Sequence, residues 1–245
     1  MKIISPSTNS LVSWITNGTS WSGLFQCRDF IPPIFERYIK ILLPTGIYRD
    51  FPIDRYPVNP TSVEDIKTRM QIGEEHFIPG EFGIISESRL DRIRSYEIAK
   101  VYDIPFDSKM DSNFLFNSLG FWPANLQSMP NLEKQYVNRI ISLIGYSEEV
   151  FFYGDAKTGK YLPDSHESWH YSGKLTELFQ VMDLTVSDYP AYIWPQGKEW
   201  LIVHIEDQDY FLIGCSDSMF KRIESDSEIE LININDPQEK VANLF

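Results

Sequence analysis

Only two cysteines, Cys27 and Cys215, occur in the 245 residues, and they stand far apart. Two thiols so placed are no disulfide framework, which suits a reducing compartment. No stretch approaches the roughly 18–20 uninterrupted apolar residues of a membrane-spanning helix. The amino-terminal run is broken by Pro6, Ser7, Thr8, Asn9 and Ser10, so it lacks the apolar centre of a signal peptide. There is no internal repeat and no low-complexity segment. Neither G-x-S-x-G nor G-x-G-x-x-G occurs. These absences point to a soluble cytoplasmic globular protein.

What is present is enough to build a core: 42% of the residues are apolar and 14% aromatic. The net charge of −13 is divided unevenly. Residues 1–145 hold 16 acids and 15 bases, whereas residues 146–245 hold 19 acids and 7 bases. Such an excess repels nucleic acid and anionic membrane and steers basic partners inward. It reads either as a solvated surface or as an acidic face matched to a basic protein.

Prolines keep the elements of the first half short. Phe35–Leu43 reads as a strand closed by Pro44-Thr45-Gly46, and residues 88–101 read as a helix. The clearest helix is Asn131–Ile144, with Asn131 as N-cap and one apolar stripe running from Leu132 to Ile144. Strand Glu149–Tyr153 follows, while Leu175–Leu184 fits either a helix or a strand. Trp200–Ile205 and Tyr210–Gly214 flank Glu206-Asp207-Gln208-Asp209 as a hairpin in which opposed residue numbers sum to about 415. Both faces of that hairpin are apolar, which places it near a sheet centre with cover on each side. Ser216 caps a helix over Asp217–Glu224, Glu228–Ile234 alternates as a strand, and Asp236-Pro237 looks like the start of a terminal helix.

Several motifs resemble catalytic ones. His166-Glu167-Ser168-Trp169-His170 matches H-E-x-x-H, where two imidazoles one helical turn apart hold zinc and the glutamate activates water. Pro163 before it, Ser172-Gly173 after it and polar flanks oppose the helix this requires. Gly154 to Lys160 satisfies G-x-x-x-x-G-K, but Tyr161 removes the magnesium-binding hydroxyl and Pro163 stops the phosphate-binding helix. Cys215 precedes a helix start, yet His204 lies about 13 Å along the ladder from it at 3.3 Å per residue, too far for a Cys/His pair. His204 itself reads as a satisfied core histidine, and Asp207 with Asp209 as solvated turn carboxylates rather than ion ligands.

Two stretches resemble an uncharacterised family of bacterial proteins best represented in actinomycetes. Ile31 to Pro44 is similar to its P-x-x-F-x-x-Y-x-x-I-L-x-P opening. Ile193-Trp194-Pro195, Trp200, Glu206, Tyr210, Gly214 and Ser216 are similar to a W-W-P … W … E-x-D … Y-x-G-G-S segment. Ile193 stands where that family usually has Trp, and residues 45–130 align poorly with it. The family has no assigned activity, so the resemblance implies a single domain over residues 1–245 and supplies no mechanism.

The expectation is therefore an α+β fold, with helices on a mixed, mainly antiparallel sheet. The leading functional reading is a non-enzymatic, immunity- or antitoxin-like module with no cofactor. Its basic protein partner would meet Glu206, Asp207, Asp209, Glu224, Asp226 and Glu228, with Trp194 and Tyr192 as aromatic anchors, although Trp194 fits core packing equally well. The alternatives are a zinc hydrolase using His166, Glu167 and His170, and a small-molecule binding module with a Trp-lined pocket.

Overall fold

The computed structural model describes residues 2–3, 9–19, 21–145, 149–154, 169–185 and 189–242. Local alternation builds the hairpin of β9 (Leu201–His204) and β10 (Tyr210–Cys215), and its observed pairs, Phe211 with His204 through Gly214 with Leu201, keep the expected register. Side chains alternate across a strand, so this register sends Trp200, Ile202, Phe211, Ile213 and Cys215 into one core, and Leu201, Val203, Tyr210 and Leu212 into another. The hairpin therefore sits inside an eight-stranded sheet, as two apolar faces require.

The order of that sheet is β1-β7-β6-β8-β9-β10-β2-β11. The strands not yet placed are β1 (Lys2–Ile3), β2 (Arg37–Leu42), β6 (Val150–Gly154), β7 (Trp169–Gly173), β8 (Tyr192–Pro195) and β11 (Leu231–Ile234). Every pairing among the described strands is antiparallel. Helices α5 (Pro130–Ile144), α6 (Leu178–Thr185) and α7 (Asp217–Glu224) cover one face. On the other lie α1 (Asn9–Thr16), α3 (Ser95–Val101) and α4 (Ser112–Leu119). The fold is α+β, and among the described residues no helix is long and apolar enough to cross a membrane.

A second, smaller sheet grows from the end of β2, where Pro44 breaks the strand and the chain re-enters as β3 (Thr45–Ile47). It pairs with β4 (Asp91–Ile93) and β5 (Leu126–Ser128). With α2 (Val63–His76) it encloses a third core of Tyr48, Phe51, Tyr56, Ile72, Phe77, Ile85, Leu90 and Met129. The capping box Ser62–Asp65 starts α2: Ser62 Oγ accepts from Asp65 N, and Asp65 accepts from Ser62 N, both at 3.0 Å.

Four local expectations are corrected. Residues 88–101 are not one helix: Asp91–Ile93 pairs with β3, and α3 begins only at Ser95, where the carboxylate of Glu230 accepts from Ser95 N and Tyr96 N. The α5 helix has Pro130 at its first position, and Asn131 is no cap; its amides bond to Glu87. The last strand starts at Leu231 rather than Glu228. Asp236 closes a turn onto Gln238 N instead of opening a helix, because the backbone of Pro237 and Glu239 accepts from Arg28 and Cys27.

Candidate functional site

Where β2 leaves the large sheet for the small one, the two cores part and leave a cleft of about 700 Å³. One wall belongs to the large sheet and its helices. The β9–β10 loop contributes Asp207, Gln208 and Asp209, with Asp207 held at φ +58, a left-handed conformation that aspartate tolerates. His204 at the end of β9 puts Nε2 3.0 Å from the carbonyl of Gln208, which ties the ring to that loop. Tyr189 packs edge-on against His204 at 5.2 Å and against Phe211 at 4.8 Å, and its hydroxyl donates to Glu133 of α5 at 2.6 Å.

The other wall comes from the third core. Arg69 of α2 lies over the rings of Tyr56 and Phe82, its guanidinium carbon 5.4 Å from each centroid. It donates through Nε to Tyr56 Oη at 3.0 Å and through Nη1 to the Val58 carbonyl at 3.3 Å. Two rings and two hydrogen bonds fix a planar cation at the edge of the cleft, and among the described residues no carboxylate pairs with it. Gln127 and Trp122 complete the floor.

Directly behind the carboxylate wall is a buried charge that the sequence reading passed over. Lys40, in the middle of β2, is 0% exposed. Its ammonium donates to the Val241 carbonyl at 2.7 Å, the Ser108 carbonyl at 3.2 Å and Asp111 Oδ2 at 3.2 Å, and sits 3.8 Å from the Tyr210 ring centroid. Asp111 also caps α4 through Phe114 N, and Asp209 accepts from Ser112 N beside it. Burial holds the Lys40 ammonium below its usual pKa despite Asp111 and Asp209. Asp209 is pushed above the usual carboxylate range by burial first, then by Asp111. A lysine between Ile39 and Ile41 resembles the polar side of a half-exposed strand; only the return of the 108–111 and 241 segments makes it interior.

The other residues singled out from sequence fall in separate places. Asp226 pairs with Arg139 at 2.7 Å and Glu228 with Arg92 at 2.9 Å, while the carbonyl of Ser227 accepts from Arg94. Much of the cation that this acidic stretch meets is thus supplied by the first half of the same chain. Asp207 and Glu224 are exposed, and Glu206 is half-buried. Of the two readings of Trp194, anchor or core, the structure has the core one: it is 1% exposed, against Phe151 at 5.5 Å and Trp14 at 6.3 Å. Tyr192 is half-buried and stacks on Tyr153 at 5.9 Å.

His166 and Glu167, like residues 155–160 of the G-x-x-x-x-G-K run, lie outside the described residues. His170 is in strand β7, 3% exposed against Tyr153, so the helical spacing that an H-E-x-x-H site requires does not extend to it. Among the described residues no three His, Cys, Asp or Glu side chains group to hold a metal ion. Burial pushes both thiols, Cys27 and Cys215, up to about 12, overriding the helix start beside Cys215.

A family model, the family of unknown function DUF6756, matches residues 61–227. The chain belongs to this family. No curated protein and no solved structure matches it. The DUF6756 match begins one residue before the cap of α2 and ends beyond α7, so it takes in Arg69, Glu133, His204 and Asp209, while Leu43, Pro44, Thr45, Tyr56 and Val58 of the cleft lining precede it.

Proposed function

We propose that this protein binds a small amphoteric organic molecule in the cleft between its two sheets. The observation that carries this reading is the cleft itself: about 700 Å³ at the junction of two cores, with an immobilised guanidinium on one wall and carboxylates on the other. Sites of this kind typically measure about 300–1,000 Å³ and form where structural units meet. An anionic group would dock on Arg69, and an amine would face Asp207 across Gln208 and His204. Tyr189, Tyr56 and Trp122 offer ring surface to an apolar body between the two ends.

Thermal denaturation in the presence of three probe sets tests the reading: free amino acids, carboxylic acids without an amine, and amines without an acid. The amino acids should raise the melting temperature most, and Arg69→Ala should abolish the rise while Glu224→Gln keeps it. Identical responses from the parent and the Arg69→Ala protein, or no response to any set, would contradict it. A docking role for the acidic stretch is the weaker reading, because Asp226 and Glu228 already meet Arg139 and Arg92.

A further inference from the structure

We propose that the outer face of α2 is a docking surface for a basic amphipathic helix of a partner protein. Val63, Ile66 and Met70 stand at i, i+3 and i+7, one stripe of the helix, and are 70%, 49% and 55% exposed. Single exposed apolar side chains are ordinary, but this stripe is continuous with Phe82, itself 62% exposed. Phe82 is presented on a turn between Gly80 and Gly83, both at positive φ, and its ring meets Phe77 edge-on at 5.5 Å. Between Met70 and Phe82, with Gly73 and Gly80 supplying no side chains, runs a groove of about 440 Å³.

The groove follows a helix whose inward side chain, Ile72, is already buried in the third core, so the exposed stripe is not the part of α2 that holds the fold together. An apolar stripe with anchors at this spacing is the geometry by which one helix receives another.

Charge selects the occupant. Residues 60–84 hold five acids and two bases. Of the bases, Arg69 lines the cleft and Lys67 lies 3.9 Å from Glu64. Glu64, Glu74, Glu75 and Glu81 are exposed around the stripe. A partner helix with apolar residues on one side and Lys or Arg on its flanks meets both features at once. A second copy does not: a twofold contact would set Glu74 and Glu81 of both chains against each other, in a protein of net charge −13.

The test is fluorescence anisotropy with a labelled synthetic helix of about 18 residues, carrying Leu at i, i+3 and i+7 and flanked by Lys and Arg. A scrambled peptide of the same composition, whose leucines share no face, is the control. The amphipathic peptide should bind saturably and more weakly at high salt, and the scrambled one should not. Ile66→Asp and Met70→Asp should each lower affinity about tenfold or more, with helix content unchanged by circular dichroism. Glu74→Lys with Glu81→Lys should weaken binding without touching the stripe. Equal binding of both peptides, equal binding by parent and Ile66→Asp, or a parent dimer that Met70→Asp dissociates in sedimentation would overturn the proposal.

Discussion

Lys40 is fully buried with three acceptors, so its substitution has a large expected cost. Removing one partner of a buried ion pair leaves the other charge without compensation, at a cost of about 3–5 kcal/mol. Lys40→Met should therefore destabilise the protein by about that amount in urea unfolding, because it strands Asp111. The double variant Lys40→Met with Asp111→Asn should recover part of the loss, since asparagine still caps α4 and carries no charge. A smaller loss in the single than in the double variant would contradict this account. The two thiols give a second prediction at the same scale. With both pKa values near 12, only roughly one thiol in ten thousand is ionised at pH 8, and neither sulfur is exposed. A thiol reagent should leave both unlabelled in the native protein, with labelling rising only as pH climbs towards 12, and should label both in denaturant. Rapid native labelling at pH 8 would show that the burial is wrong. Cys215 as an inert core residue was legible from its place in an apolar strand. Lys40 was not, because one polar residue on a strand looks solvated until distant segments close over it.

Among the elements, those determined by neighbouring residues were the readable ones. The β9–β10 hairpin is fixed by two apolar runs and a polar turn, and α7 by Ser216, early Asp217 and late Lys221 and Arg222, which match the helix dipole. The cap is real in geometry, Ser216 Oγ accepting from Met219 N at 3.3 Å. Ser216→Ala should cost about 1 kcal/mol, read as a lower midpoint in chemical denaturation; an unchanged midpoint would show that the start of α7 is held by packing alone. The small sheet was not readable, because β3, β4 and β5 have three residues each and find one another across long stretches of chain. Three residues carry too little alternation to signal a strand, and the apolar positions of 88–101 then imitate a helix. The start of α3 escaped for the same reason: its amides are capped by Glu230, from the opposite end of the sequence.

At the scale of the whole molecule, the division of charge between the halves takes on a different meaning from the one the sequence suggests. The near-neutral first half supplies Arg92, Arg94 and Arg139 to the acidic segment at 226–228, so part of the excess is spent inside the chain. The fold also brings residues from well-separated stretches, such as Arg69, Glu133 and Asp209, to one cleft. No motif search could have joined them, since their spacing in sequence has no period and their chemistry depends on the two sheets diverging at Pro44. The measurement that tests this cleft most directly is amide chemical-shift mapping of the isotopically labelled protein during titration with the amino acid that most raises its melting temperature. The account predicts saturable shifts confined to residues around Arg69, Gln127, His204 and Asp209, absent in Arg69→Ala. Shifts clustered elsewhere on the molecule, or the same map in parent and variant, would contradict it.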